Sequence, residues 1–231
     1  MSLPRYDIYR PIHKGLRAFM AETMVAVGRM DAADAADTAD VLARVRGLVD
    51  ICHGHLRHEE DHVHPAMEAR ASGSAAGTET EHLDHRTALD AVSRAAEAVA
   101  AAPSPGTRAE AGHALYLTLA RMVGENLMHM DMEEHQNNAI LRAAYTDAEL
   151  HAVEQGIVAS LAPEEAQVIL RWIIPNLTPA ERADALRAMR GGMPAPAFEG
   201  LLAMLRQHLS PVERAKLDAA LAAPADAAAA A

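Results

Sequence analysis

Two segments of this 231-residue chain carry one pattern. One is His55-Leu56-Arg57-His58-Glu59-Glu60 and the other is His129-Met130-Asp131-Met132-Glu133-Glu134, so each reads His-x-x-x-Glu-Glu. On an α-helix, residues four apart differ by about 40° in azimuth and about 6 Å in height. An imidazole and a carboxylate so spaced reach one ion from the same face. Repeating the pair on two facing helices builds a metal site for one or two ions. A fold that sets two such helices face to face is the strongest demand the sequence makes.

The rest of the chain reads as helical. Half the residues are apolar, much of that alanine, and aromatics make up only 3%. Val, Ile and Thr form no alternating runs, so strands are not expected. Helix-start patterns recur at Thr78-x-x-Glu81, Thr107-x-x-Glu110 and Thr146-x-x-Glu149, and with proline at Thr178-Pro179-x-Glu181 and Ser210-Pro211-x-Glu213. Breaks fall at Ser72-Gly73-Ser74, Pro103 to Gly106, and Gly191 to Pro194. The pattern predicts long helices near 11–28, 36–70, 78–102 and 107–144, followed by about five shorter ones, with Pro65 kinking or ending the second. Short connections between long helices predict an all-α, antiparallel four-helix bundle over 1–144. Residues 145–222 are expected to form a helical extension, and 223–231 a disordered Ala-rich tail.

Steps of three and four trace the inward faces. They run through His13, Leu16, Met20, Met24 and Val27 on the first long helix, and Leu48, Ile51, His55, His58 or Glu59, and His62 on the second. The third carries His82, His85, Leu89, Val92 and Val99, and the fourth Leu115, Leu119, Met122, Asn126, His129, Glu133 and Ile140. Up-down-up-down topology brings His13, His55, His82 or His85, and His129 to one level. Buried polar groups are unfavourable unless paired or metal-bound, so four helices bearing them at one level argue for a ligand. Two six-coordinate ions offer about twelve positions. With Glu59 and Glu133 bridging, a bridging oxygen, and His13, His55, His82, His85 and His129 as terminal ligands, one position stays open for a small molecule; it becomes two if only one of His82 and His85 ligates. His62 is expected beside the site, and Glu60 and Glu134 at its margin or in solvent. His53, His58 and His64 are expected to be exposed, and Tyr6, Tyr9 and Tyr116 are candidates for lining the pocket.

The set resembles the hemerythrin-like, HHE cation-binding family, whose pattern is His, His-x-x-x-Glu, His, His-x-x-x-Glu on four successive helices. Residue by residue this is His13, His55 with Glu59, His82 or His85, and His129 with Glu133. The resemblance covers residues 1–144. It implies two iron ions, oxo- or hydroxo-bridged, that bind O2, NO or peroxide, in a metal- and gas-binding protein rather than an enzyme. Hemerythrins themselves carry His-x-x-x-His on the third helix and end the fourth motif in Asp, so reversible oxygen carriage is less firmly implied than di-iron binding.

Other classes are disfavoured. A formal net charge of −11 repels phosphate backbones, which excludes nucleic acid as an expected partner. The single Cys52 excludes a cysteine zinc site. No stretch reaches the length of a membrane span and no secretory signal is evident, so a cytoplasmic location is expected. A rival reading takes His58-Glu59-x-x-His62 as a zinc hydrolase motif, but it leaves the second His-x-x-x-Glu unexplained. A further reading is an iron- or oxygen-sensing or metal-buffering module, with a homodimer or protein partner contacted through 145–222.

Overall fold

A computed structural model describes residues 5–222; the Ala-rich tail expected after 222 lies outside the described residues. The described chain is all helical. Four long helices, α1 (Arg10–Arg29), α2 (Ala35–His58), α4 (Ala76–Ala101) and α5 (Pro105–Met132), pack as a bundle in the cyclic order α1, α2, α4, α5. Between them α3 (His64–Arg70) continues the line of α2, and α6 (Asn138–Ala144) continues α5. The shorter C-terminal helices are α7 (Asp147–Ser160), α8 (Pro163–Ile173), α9 (Pro179–Gly192), α10 (Ala195–Arg206) and α11 (Pro211–Ala222). Among the described residues, no helix is long and apolar enough to cross a membrane.

The predicted stripes form the bundle core. Leu16, Met20, Val45, Leu48, Leu89, Val92, Leu115, Leu119 and Met122 are all buried in one cluster. Thr146, Thr178 and Ser210 cap α7, α9 and α11 as expected, each with its Glu three residues on. Two expected caps are corrected. α4 starts earlier, behind Ala75, which frees Thr78 and Glu81 for other contacts. Ser104, not Thr107, caps α5; Thr107 closes the box from its third position.

The C-terminal helices build a small core of their own around Ile174, Leu186, Phe198, Leu202 and Leu205. Arg182 is buried there and ties the turn before α9 by donating to the carbonyls of Ile174, Pro175 and Leu177. This layer is joined to the bundle through α8. Trp172 stacks on Phe19 of α1 with ring centroids 4.0 Å apart and planes 10° from parallel. Two glycines allow the close approach: a Cβ on Gly15 would lie 3.1 Å from the Ile173 amide nitrogen, and one on Gly54 would lie 2.8 Å from a Glu165 carboxylate oxygen.

Trp172 is the only tryptophan, so its emission reports this joint. Phe19→Ala is expected to shift that emission to the red and to destabilise the protein by about 3 kcal/mol, the usual effect of emptying a buried aromatic site. Unshifted emission with an unchanged melting temperature would place the joint elsewhere.

Candidate metal centre

Four histidines and two glutamates meet where the four long helices cross one level. His13 lies in the first turn of α1, His55 in the last turn of α2, His82 in the second turn of α4, and His129 in the last turn of α5. Glu59 and Glu133 follow one turn after their histidines. The Nε2 of His55 and of His82 each lie 3.3 Å from Glu59, on Oε1 and Oε2 respectively. The Nε2 of His13 lies 3.5 Å from Glu133 Oε2, and that of His129 lies 3.4 Å from Glu133 Oε1. His82 Nε2 also stands 3.9 Å from Glu133 Oε1. Two ligand groups emerge: His13, His55, Glu59 and Glu133, and His82, His129, Glu59 and Glu133. The two glutamates belong to both.

The outer ring nitrogens fix the tautomers. His13 Nδ1 donates to Glu134 Oε1 at 2.9 Å, His82 Nδ1 to Glu60 Oε1 at 3.0 Å, and His129 Nδ1 to Glu81 Oε2 at 2.7 Å. A proton on Nδ1 leaves a lone pair on Nε2, aimed inward. There it meets carboxylate oxygens, which also carry lone pairs. The four Nε2 atoms and all four oxygens of Glu59 and Glu133 are buried without a hydrogen-bond partner. Such groups are rare in folded interiors and each is unfavourable by about 1–3 kcal/mol. A cation is the one kind of group that satisfies all of them together, so the residues present fit a metal.

Glu60 and Glu134 therefore do more than the sequence reading assigned them. Each reaches sideways to the histidine of a neighbouring helix and is held by that histidine's i+4 arginine. Arg86 donates to Glu60, and Arg17 donates to Glu134 at 2.5 Å. The unit is repeated: His13-x-x-x-Arg17 serves the second His-x-x-x-Glu-Glu, and His82-x-x-x-Arg86 serves the first. This carboxylate–imidazole support is what orients metal-binding histidines and raises their basicity. The repeated His-x-x-x-Arg was the sequence signal for it.

A second feature was also missed. Glu59–Val63 and Glu133–Asn137 are single π-helical turns. In each, the glutamate carbonyl accepts from the amide five residues on, His64 or Asn138. The helix therefore does not end at Pro65, and the second copy makes the same turn without proline. The extra residue shifts every later inward position by one. Leu141 is buried where Ile140 was expected, and His64 is buried where exposure was expected. His62, expected beside the site, instead lies over Gly156 on α7. His58 is covered by α8, with its Nε2 3.5 Å from Glu165 Oε1. Among the described residues neither His58 nor His62 joins a metal-competent group, so the zinc hydrolase motif is not assembled.

His82 and His85 part company. His85 belongs to neither group around Glu59 and Glu133. Its ring packs on His129, with centroids 4.4 Å apart, and its Nδ1 accepts from Asn126 at 3.2 Å. It falls instead in an outer group with Glu81 and His129. Of the three tyrosines, Tyr9 is the one at the centre, packed against His13 at 5.1 Å.

Burial sets the charge states. It holds the imidazole of His55 far below its ordinary range, with the neighbouring histidines adding to the effect, and holds His129 down to about 2. His13 is lowered for the same reason. Burial pushes Glu59 and Glu133 well above the usual carboxyl range, and the nearby Glu59 charge raises Glu133 further. Outside the cage, hydrogen bonds from His13 and Arg17 hold Glu134 at about 2. His13, His55 and His129 are thus neutral, ready to ligate, while a metal entering the cage must displace protons from the two inner carboxyls.

A bundle closed around a buried His/Glu cage is the architecture of a cation-binding domain. Residues 5–141 match the Hemerythrin HHE cation binding domain, and the chain belongs to that family. No curated protein and no solved structure gives a significant match.

Two predictions follow from the charges. A carboxyl whose folded pKa is raised favours the fold below its unfolded pKa and opposes it as pH rises. In chelator at pH 7.5, Glu133→Gln is therefore expected to stabilise the protein by about 1–3 kcal/mol, roughly 2–10 °C in melting temperature. With metal present the same change is expected to lower it. A Gln variant less stable in both conditions would show that the carboxyl is not strained. Calorimetric metal titration at pH 7 in buffers of different ionisation enthalpy is expected to reveal proton release that shrinks in Glu59→Gln; a buffer-independent heat would contradict the protonation assigned here.

Proposed function

We propose that this is a di-iron protein whose centre binds a small molecule, O2 or NO, at positions the protein leaves free. The observation that carries this reading is the set of eight buried, unpartnered donor atoms on His13, His55, His82, His129, Glu59 and Glu133. Glu59 and Glu133, shared by both groups, are the proposed bridges; the four histidines are the proposed terminal ligands, two for each ion. His85 is not a ligand in this proposal. Mixed imidazole and carboxylate donors without thiolate suit iron in a helical bundle.

Iron held there would supply reversible one-electron chemistry and affinity for diatomic ligands. The chain's own residues do the rest. Four nitrogens and four oxygens fill about eight of roughly twelve positions on two six-coordinate ions, leaving room for solvent and an incoming molecule. Glu60, Glu81 and Glu134 hold three imidazoles in one tautomer. Tyr9 seals one side of the cage, with its hydroxyl accepting from Asn137 Nδ2 at 3.4 Å. The bundle core excludes bulk water from the other end. We also propose the domain division 5–144 for the metal-binding bundle and 145–222 for the helical extension.

Elemental analysis of protein produced with added iron is expected to give two irons per chain, falling below about 0.5 in Glu59→Ala and in Glu133→Ala. The reduced wild type is expected to show a visible-absorption change on titration with NO that saturates. One zinc per chain, or full iron in both variants, would overturn the di-iron reading; iron without any NO or O2 response would overturn the ligand-binding part alone.

A further inference from the structure

A cavity of about 110 Å³ lies between the bundle and the C-terminal helices, and its inner end is formed by His55 and Glu59. The bundle side contributes Ile8, Ile12 and Ile51; α7 and α8 contribute Ile157, Val158 and Ile169. The polar residues on its wall are engaged elsewhere. Glu154 accepts from the Tyr6 hydroxyl, Tyr9 is bonded to Asn137, and His58 faces Glu165. Only His55 Nε2 and the Glu59 oxygens, at the inner end, lack a partner.

The opposite end of the centre differs. The bundle halves repeat each other around the cage, but Ile12 and Leu16 on α1 occupy the places that Glu81 and His85 hold on α4. The His129 end therefore opens on a hollow that carries Glu81, Asp84 and His85 among apolar residues such as Ala88, Met128 and Met132, whereas the His55 end opens on a wall dominated by hydrocarbon.

We propose that α7 and α8 complete an access cavity that admits a small, uncharged, weakly polar molecule of diatomic size to the His55 side of the centre. This rests on the small-ligand reading of that centre and narrows it. Along the mostly hydrocarbon wall a polar molecule such as peroxide would give up most of its hydrogen bonds to water. A diatomic gas loses nothing there. The volume also sets a ceiling: a dry apolar cavity of about 150 Å³ admits benzene or xenon, and this one is smaller. The extension thus acts as a selectivity wall for the metal centre.

Xenon tests the cavity without relying on the metal. Crystals of the full chain under xenon pressure, with and without iron, are expected to show one xenon atom between Ile51, Ile157 and Ile169. Ile157→Trp is expected to expel it, to keep the wild-type metal content, and to slow NO association with the reduced protein at least tenfold. Ile169→Trp, from the other helix, provides the same test if the first variant folds poorly. No xenon in the wild type while NO binds normally would overturn the cavity proposal alone. Xenon bound but NO association unchanged in a variant that excludes xenon would overturn the access role. Xenon bound with no NO response in the wild type would overturn the ligand reading of the centre and the access role with it.

Discussion

At the middle of this bundle, lone pairs face lone pairs. Three imidazoles are committed by outer carboxylates to present unprotonated nitrogens inward, and those nitrogens meet the oxygens of Glu59 and Glu133 at 3.3 to 3.5 Å. In a water-excluded interior this arrangement is repulsive unless protons or cations intervene. Most of what is unusual in the structure serves to maintain it. The outer glutamates orient the rings, Arg17 and Arg86 hold those glutamates, and the hydrophobic stripes of α1, α2, α4 and α5 fix the level at which the rings meet. The family membership and the cage thus point the same way: a cation is the partner that these buried donor atoms lack.

The π turns are the backbone part of that requirement. Each begins at an inner glutamate, so its carbonyl bonds five residues on while its side chain points into the cage. Single π turns inside α-helices often mark functional positions, because the extra residue re-aims the side chains around it. Here the turn follows the cage glutamate and shifts the helical phase of the residues after it. It also turns Val63 and Asn137 inward beyond the cage, closing that end.

Periodicity made the bundle, its four long helices and the inward placement of His13, His55, Glu59, His82, His129 and Glu133 legible in the sequence, because those positions precede any break in helical phase. What lies beyond the π turns was not legible, since a 3.6-residue count misplaces His62, His64 and Ile140 by one position. A helical wheel places Glu60 and Glu134 at the margin because it describes one helix, whereas each of these side chains acts on its neighbour. The burial of His58 depends on α8, whose docking no local pattern encodes. His85 shared the stripe of His82, and only the tertiary structure separates the ring that faces the cage from the ring that stacks behind His129.

Three levels meet in this molecule: a repeated motif, a bundle that brings its copies together, and an extension that gives the two ends of the centre different surroundings. What they jointly favour is one two-metal centre bridged by Glu59 and Glu133. Anomalous diffraction at the iron edge from iron-loaded crystals tests this most directly. Two peaks are expected that both contact Glu59 and Glu133, one beside His13 and His55 and the other beside His82 and His129. A single peak, or density centred on Glu81, His85 and the outer face of His129, would contradict it.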